Sequence, residues 1–283
     1  MKLGTVSNLI TVPEGTDPIL GRIERAADLG LSVLGITLRD TWQDHDYLRR
    51  VSGLAQSRGI ELRIGAGGNF YLQGPEGEAE MARVAEMLLA IARHTNIRFA
   101  STPAGPMLTT HRFTSGPPLP ERLSLLALNL GALADAVAGV GFTVCLENHC
   151  DYRGHEIATI ITEANRPNLR VQIDTGNAFS VFEDPIDCAR ALAPYTVSCH
   201  LKDIHVTPFA SAPCRGSRAV AVPLGEGHVD NAAICQILQD QAPDPASLAL
   251  MCEPFYLPDD ADPDQFLATS ITWSRIHLAP FLA

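Results

Sequence analysis

Glu147, Asp174, His200 and Glu253 each close a short hydrophobic run: Thr-Val-Cys-Leu-Glu, Arg-Val-Gln-Ile-Asp, Val-Ser-Cys-His and Ala-Leu-Met-Cys-Glu. Apolar runs of about four to eight residues read as buried strands, so each polar residue lies where a strand leaves the core. Brought to one place, the four would form a cluster of three carboxylates and an imidazole. Burying three carboxylates side by side is costly unless some are protonated or a cation neutralises them. Three oxygen donors and one nitrogen, with no thiolate, suit one divalent ion. Mn²⁺ is the first choice, with Mg²⁺, Co²⁺ or Zn²⁺ as alternatives.

An ion held in this way can grip a carbonyl and its neighbouring hydroxyl and stabilise an enediolate. Glu147 and Glu253 would be ligands and also the acid/base pair that moves a proton beside the carbonyl. Returning the proton to the opposite face epimerises a sugar, and returning it to the other carbon interconverts aldose and ketose. Expelling a β-hydroxyl would make the protein a lyase. Taken singly, each residue has a plainer reading. A strand-end carboxylate caps a helix or pairs with an arginine, Asp174 before Thr-Gly-Asn is a turn residue, and a lone histidine packs in a core. Four ligand-type residues at matching positions on consecutive strands point instead to one shared site.

The elements that must position them alternate along the whole chain. Strands are expected at Lys2–Leu9, Ser32–Leu38, Ile60–Ala66, Ile97–Ser101, Thr143–Glu147, Leu169–Asp174, Val197–Leu201 and Leu248–Glu253. Helical periodicity fills the intervals, most clearly over Glu76–His94, where Met81, Val84, Ala85, Leu88, Leu89 and Ile91 make one stripe. Strands that are apolar throughout imply a parallel sheet covered on both faces. Eight strand-helix repeats in 283 residues predict an α/β fold, a single (β/α)8 TIM barrel spanning residues 1–283. An open, doubly wound sheet is the alternative. Gly65-Ala-Gly-Gly68 follows a strand, but it lacks the glycine spacing of a dinucleotide site. In a barrel the four residues end consecutive strands on the catalytic rim.

Composition excludes other classes. A net charge of −11 disfavours nucleic acid or an anionic membrane as partner. No long apolar run and no leader-like opening occur, so a soluble cytoplasmic protein is expected. Seven cysteines without a Cys-x-x-Cys pair read as reduced, structural thiols.

At Leu146-Glu-Asn, Gln172-Ile-Asp-Thr-Gly-Asn177, Cys199-His-Leu-Lys-Asp203, Pro223-Leu-Gly-Glu-Gly227 and Cys252-Glu-Pro254 the chain resembles the sugar phosphate isomerase/epimerase superfamily, the xylose-isomerase-like barrels. The resemblance runs through nearly the whole chain. It implies a (β/α)8 barrel that binds one divalent ion through Glu147, Asp174, His200 and Glu253. It further implies a small sugar, keto-sugar or polyol substrate, and the two glutamates as acid and base. Many relatives place a histidine where this chain has Asn177, which can bind a hydroxyl but cannot carry a proton. The ketose 3-epimerases also place an arginine where Val206 stands. The missing histidine at Asn177 favours a metal-dependent lyase more than for an average member, and a non-catalytic barrel is the third reading.

Four further residues are candidate substrate contacts: Asn177, His149, Lys202 and Glu226. Against these stand a loop position for His149, an outward direction for Lys202 and a structural role for Glu226. Asp203 would support His200 or pair with Lys202. Trp42 and Phe70 belong to the core or to an apolar wall of the pocket. The long segment 203–228, with His205, Arg215 and Arg218, reads as a lid or as the contact of a homo-oligomer.

Overall fold

The computed structural model describes residues 1–211, 214–254 and 256–282; the side chains of Leu108, Phe209, Cys214 and Arg215 lie outside that description, and with them the sequence expectations for Cys214 and Arg215. Eight parallel strands close into a barrel: β1 (Lys2–Val6), β2 (Val33–Ile36), β3 (Glu61–Gly65), β4 (Phe99–Thr102), β5 (Thr143–Glu147), β6 (Leu169–Asp174), β7 (Thr196–Leu201) and β10 (Ala249–Cys252), β10 pairing with both β7 and β1. The strands β8 (Asp203–Ser211) and β9 (Cys214–Val222) form a separate antiparallel hairpin between β7 and β10. Outside the barrel lie α1 (Pro18–Asp28), α2 (His45–Ser57), α3 (Gly74–His94), α4 (Met107–Thr110), α5 (Leu119–Ala138), α6 (Gly154–Ala164), α7 (Pro185–Leu192), α8 (Asn231–Gln241) and α9 (Pro263–His277).

The helix boundaries follow from local chemistry. Asp17, Asp184 and Asp262 each precede a proline and accept backbone N–H groups of the first turn, so α1, α7 and α9 start where the orphan donors find a carboxylate. Gly30 and Gly59, at φ +65° and +69°, end α1 and α2 in the left-handed region and turn the chain into the next strand.

Two cores result. The larger lies between strands and helices and takes in residues such as Leu34, Leu88, Leu130, Ile160, Leu201 and Leu250. The smaller, Val33, Ala249 and Met251, lies within the barrel. Near the N-terminal ends of the strands the interior is polar. The buried Arg63 donates to Glu61 Oε1 at 2.8 Å, Val197 O at 2.8 Å and Ser247 O at 3.2 Å, and its guanidinium lies 4.1 Å from the centre of the Phe99 ring. Cys145, Cys150, Cys188, Cys199, Cys235 and Cys252 are free and buried, consistent with thiols used as small hydrophobes.

Most of the 203–228 segment, read in the sequence as a lid or an oligomer contact, is the β8–β9 hairpin, whose ladder runs from Asp203↔Val222 to Ser211↔Cys214. Ladder pairing satisfies the backbone of a segment too long for a bare loop.

Candidate metal centre

Strand parity builds the site. Side chains two residues apart on a strand share a face, so Gln172 and Asp174 point the same way, as do Ser198, His200 and Lys202, and Met251 and Glu253. Asp174 lies directly across the β6–β7 ladder from His200, Glu147 is opposite Gln172, and the Glu253 N–H donates to Leu201 O at 3.0 Å. Glu147, Asp174, His200 and Glu253 therefore converge, with one donor atom from each lying within 4.8 Å of the others.

Fixed hydrogen bonds hold the set. Asn148 clamps the end of β6, accepting from Asp174 N at 2.6 Å and donating to Asp174 O at 2.9 Å. Ser198 Oγ donates to Gln172 Oε1 at 2.9 Å, and Gln172 Nε2 donates to Glu147 Oε2 at 3.2 Å. Neither Asn148 nor Gln172 was given a role by the sequence. The signal was present for Gln172, which shares the parity of Asp174.

His200 Nδ1 faces all three carboxylates, at 2.9 Å from Glu253 Oε2, 3.7 Å from Glu147 Oε1 and 4.0 Å from Asp174 Oδ2. Lys202 is buried and turned inward, with Nζ 2.6 Å from Asp174 Oδ2, 3.1 Å from Glu253 Oε2 and 3.3 Å from Asn177 Oδ1. Burial opposes charge on His200, but the Glu253 and Glu147 carboxylates outweigh it and push its pKa up to about 10. Burial likewise opposes charge on Lys202, and Asp174, Glu253 and Glu147 reverse the balance upward. Glu253 and Glu147 lose solvent, which alone would raise them, but His200 above all holds both below the usual carboxylate range. Asp174 is raised, because its burial exceeds the pull of Lys202.

The residues fit a divalent cation. Ligands on opposite sides of an ion with bonds of about 2–2.6 Å stand roughly 4–5 Å apart, the span of this set. Asp174 Oδ2 and Glu253 Oε2 are buried without a well-directed hydrogen bond among the described residues, their neighbours being the charges of Lys202 and His200. Acceptors so placed are the kind a cation satisfies.

Two cavities open on the cluster. One, of about 420 Å³, is lined by Glu147, Gln172, His200 and Glu253 together with Asn8, Arg39 and Ser101. The other, of about 270 Å³, is lined by Glu147, His149, Lys202 and Glu253 with Asn8 and Tyr256. His149 thus faces the site, and burial lowers its pKa. Asn177 is buried behind Lys202, its Nδ2 donating to Asn148 O at 3.0 Å. Glu226 is not brought to the cluster; it is exposed in a groove beside Trp273 and His277 of α9. Asp203 serves neither His200 nor Lys202. Its carboxylate accepts from the N–H groups of Ile204, Gly225, Gly227 and Val229, at 2.8 to 3.1 Å, and so fastens the chain between the hairpin and α8. Phe70 is wholly buried in the core, and Trp42 is partly buried and packs against the same core.

Residues 23–275 match the family described as xylose isomerase-like TIM barrel. The chain belongs to that family. Solved structures of the same fold include L-ribulose 3-epimerase (TM-score 0.76, 16% identity, 99% of this chain and 95% of that one). The IOLI protein with a bound zinc atom gives TM-score 0.76 at 14% identity over 100% of both chains. AsbF of Bacillus anthracis, a probable 3-DHS dehydratase, gives 0.72 at 18% over 96% of this chain and 98% of that one. In sequence, the uncharacterized protein YihM of Escherichia coli (strain K12) is 28% identical over 85 residues, a stretch covering 30% of this chain and 26% of YihM. Among the described residues no helix is long and apolar enough to cross a membrane.

Proposed function

We propose that this xylose isomerase-like barrel is a divalent-metal-dependent isomerase or epimerase of a small sugar, keto-sugar or polyol derivative. The observation that carries the reading is the convergence of Glu147, Asp174, His200 and Glu253 within 4.8 Å, with Glu147 and Glu253 lining two cavities and His200 the larger of them. A dication bound there, Mn²⁺ by preference, would supply the positive charge that holds a carbonyl and an adjacent hydroxyl and lowers the energy of an enediolate. The zinc atom of the IOLI structure supports a dication in a protein of this fold.

The chain's own residues do the rest. Glu147 and Glu253 are separated around the barrel by β6 and β7, and both line both cavities, so each can reach a substrate carbon from its own side. One takes the proton and the other returns one. Gln172, anchored by Ser198, fixes the Glu147 carboxylate. Lys202 and His149 offer donors to substrate oxygens, while Asn177 holds Lys202 from behind.

A second reading, a lyase that dehydrates a keto-polyol or 3-keto-sugar, draws on one observation. The Asn177 amide is engaged and cannot carry a proton, whereas the His149 imidazole stands in the cavity with both glutamates, where it can donate to a departing hydroxyl. A small-molecule substrate serves either reading.

The test is metal analysis of the purified chain followed by proton NMR of a panel of keto-sugars in D₂O. A retained dication and deuterium entering beside a carbonyl support the proposal. Product mass separates its two forms, because isomerisation conserves mass and dehydration loses a water. Absence of both metal and exchange overturns the proposal.

A further inference from the structure

The wall of the larger cavity away from the four ligands has one feature that proton transfer does not use. Arg39, just beyond β2, lines it and is exposed. Its Nε donates to Thr37 Oγ1 at 3.4 Å, and among the described residues it enters no ion pair. The other guanidinium in the lining, Arg63, is committed to Glu61 and to two backbone carbonyls. Among the described residues the lining contains no carboxylate apart from Glu147 and Glu253; Ser7, Asn8, Thr37 and Ser101 supply neutral polar groups. In a chain of net charge −11, an arginine without a carboxylate partner facing a cavity is a distinct electrostatic feature.

The glycine segment that failed as a dinucleotide motif belongs to this feature. Gly67, at φ +64°, lies under the Arg39 guanidinium, and a Cβ there would come within 2.9 Å of a guanidinium nitrogen. The absent side chain leaves room for the guanidinium beside Gly67. A planar fork of N–H donors is suited to a carboxylate or phosphate, which it grips through two parallel bonds.

We propose that Arg39 binds an anionic group, a carboxylate or a phosphate, carried by the substrate away from its reacting carbonyl, making the enzyme selective for charged sugars over neutral ones. The inference rests on the sugar isomerase reading and names its substrate class.

The test titrates the full chain in Mn²⁺ buffer with three probes: D-fructose, fructose 6-phosphate and 5-keto-D-gluconate. Calorimetry gives affinities, and deuterium exchange on the same samples is read separately. At least one anionic probe should bind about tenfold or more tighter than fructose, as expected for a charge-assisted pair. Preference for the ester or for the acid identifies the group as phosphate or carboxylate. The ratio of anionic to neutral affinity should collapse in Arg39→Met, recover in part in Arg39→Lys, and shrink in about 0.5 M NaCl. Equal binding of all three probes by the wild type, or an undiminished ratio in Arg39→Met, overturns the proposal. Selective binding without deuterium exchange would leave Arg39 its role and count against the isomerase reading instead.

Discussion

Lys202 Nζ lies 2.6 Å from Asp174 Oδ2, so the chain places its own cation on an oxygen that a dication would need. The ammonium offsets part of the repulsion among three carboxylates, as a metal would. Removing one partner of a buried ion pair costs about 3–5 kcal/mol. Lys202→Met should therefore lower the melting temperature without metal, and Mn²⁺ should raise it by more than in the wild type, because the ion no longer competes with a fixed charge. Scanning fluorimetry with and without Mn²⁺ measures both. A metal-induced shift no larger than the wild type's would refute this account of Lys202.

If two glutamates serve two faces of one intermediate, their amide variants should fail differently. Glu147→Gln and Glu253→Gln should each lose product formation by about 10²–10⁴-fold, the range for removal of a general acid or base. One of them should still wash deuterium into a substrate whose proton the surviving glutamate can reach. NMR in D₂O distinguishes exchange from turnover. Full turnover in either variant would leave the two-base scheme without support.

Much of the fold and of the site is legible in the sequence. A parallel strand buried on both faces must be apolar along its length, so a charged residue at its end is conspicuous, as Glu147 and Asp174 are. Proline after aspartate marks helix starts at positions 18, 185 and 263 because one residue fixes φ and the other accepts orphan N–H groups. The inward direction of Lys202 also follows from parity with His200. What failed depends on distant partners. The donors that occupy Asp203 at Gly225, Gly227 and Val229 lie 22, 24 and 26 residues away, and no local pattern announces them. The β8–β9 hairpin carries Pro208 and Gly216 directly opposite Pro208's neighbour Phe209 in the ladder, a weak strand signal in sequence.

Asp203 is a folding residue placed beside the site. Asparagine at this position would turn an NH₂ group toward backbone donors and lose bonds that a carboxylate makes to them. Asp203→Asn should cost about 2–4 kcal/mol, since hydrogen bonds to a charged group are worth more than neutral ones. Denaturant titration should show a lower midpoint at an unchanged slope. An unchanged midpoint would show that the cradle around Asp203 contributes nothing to stability.

Asp151 supplies a pH-dependent stability difference. Its carboxyl is buried, and burial pushes its pKa up to about 7 despite a 3.1 Å hydrogen bond from Tyr152 N. The sign follows from the two states. The folded chain holds this proton more tightly than the unfolded chain, whose carboxyl titrates near about 4. The stability it contributes is thus complete below about pH 4 and is lost as pH rises through about 7. Asp151→Asn carries no such proton, so its stability relative to wild type should rise between about pH 4 and 7 and then level off, with a slope of up to about 1.4 kcal/mol per pH unit. Paired denaturation curves across that range cancel the groups common to both proteins. A difference independent of pH would mean that Asp151 titrates as an ordinary carboxylate.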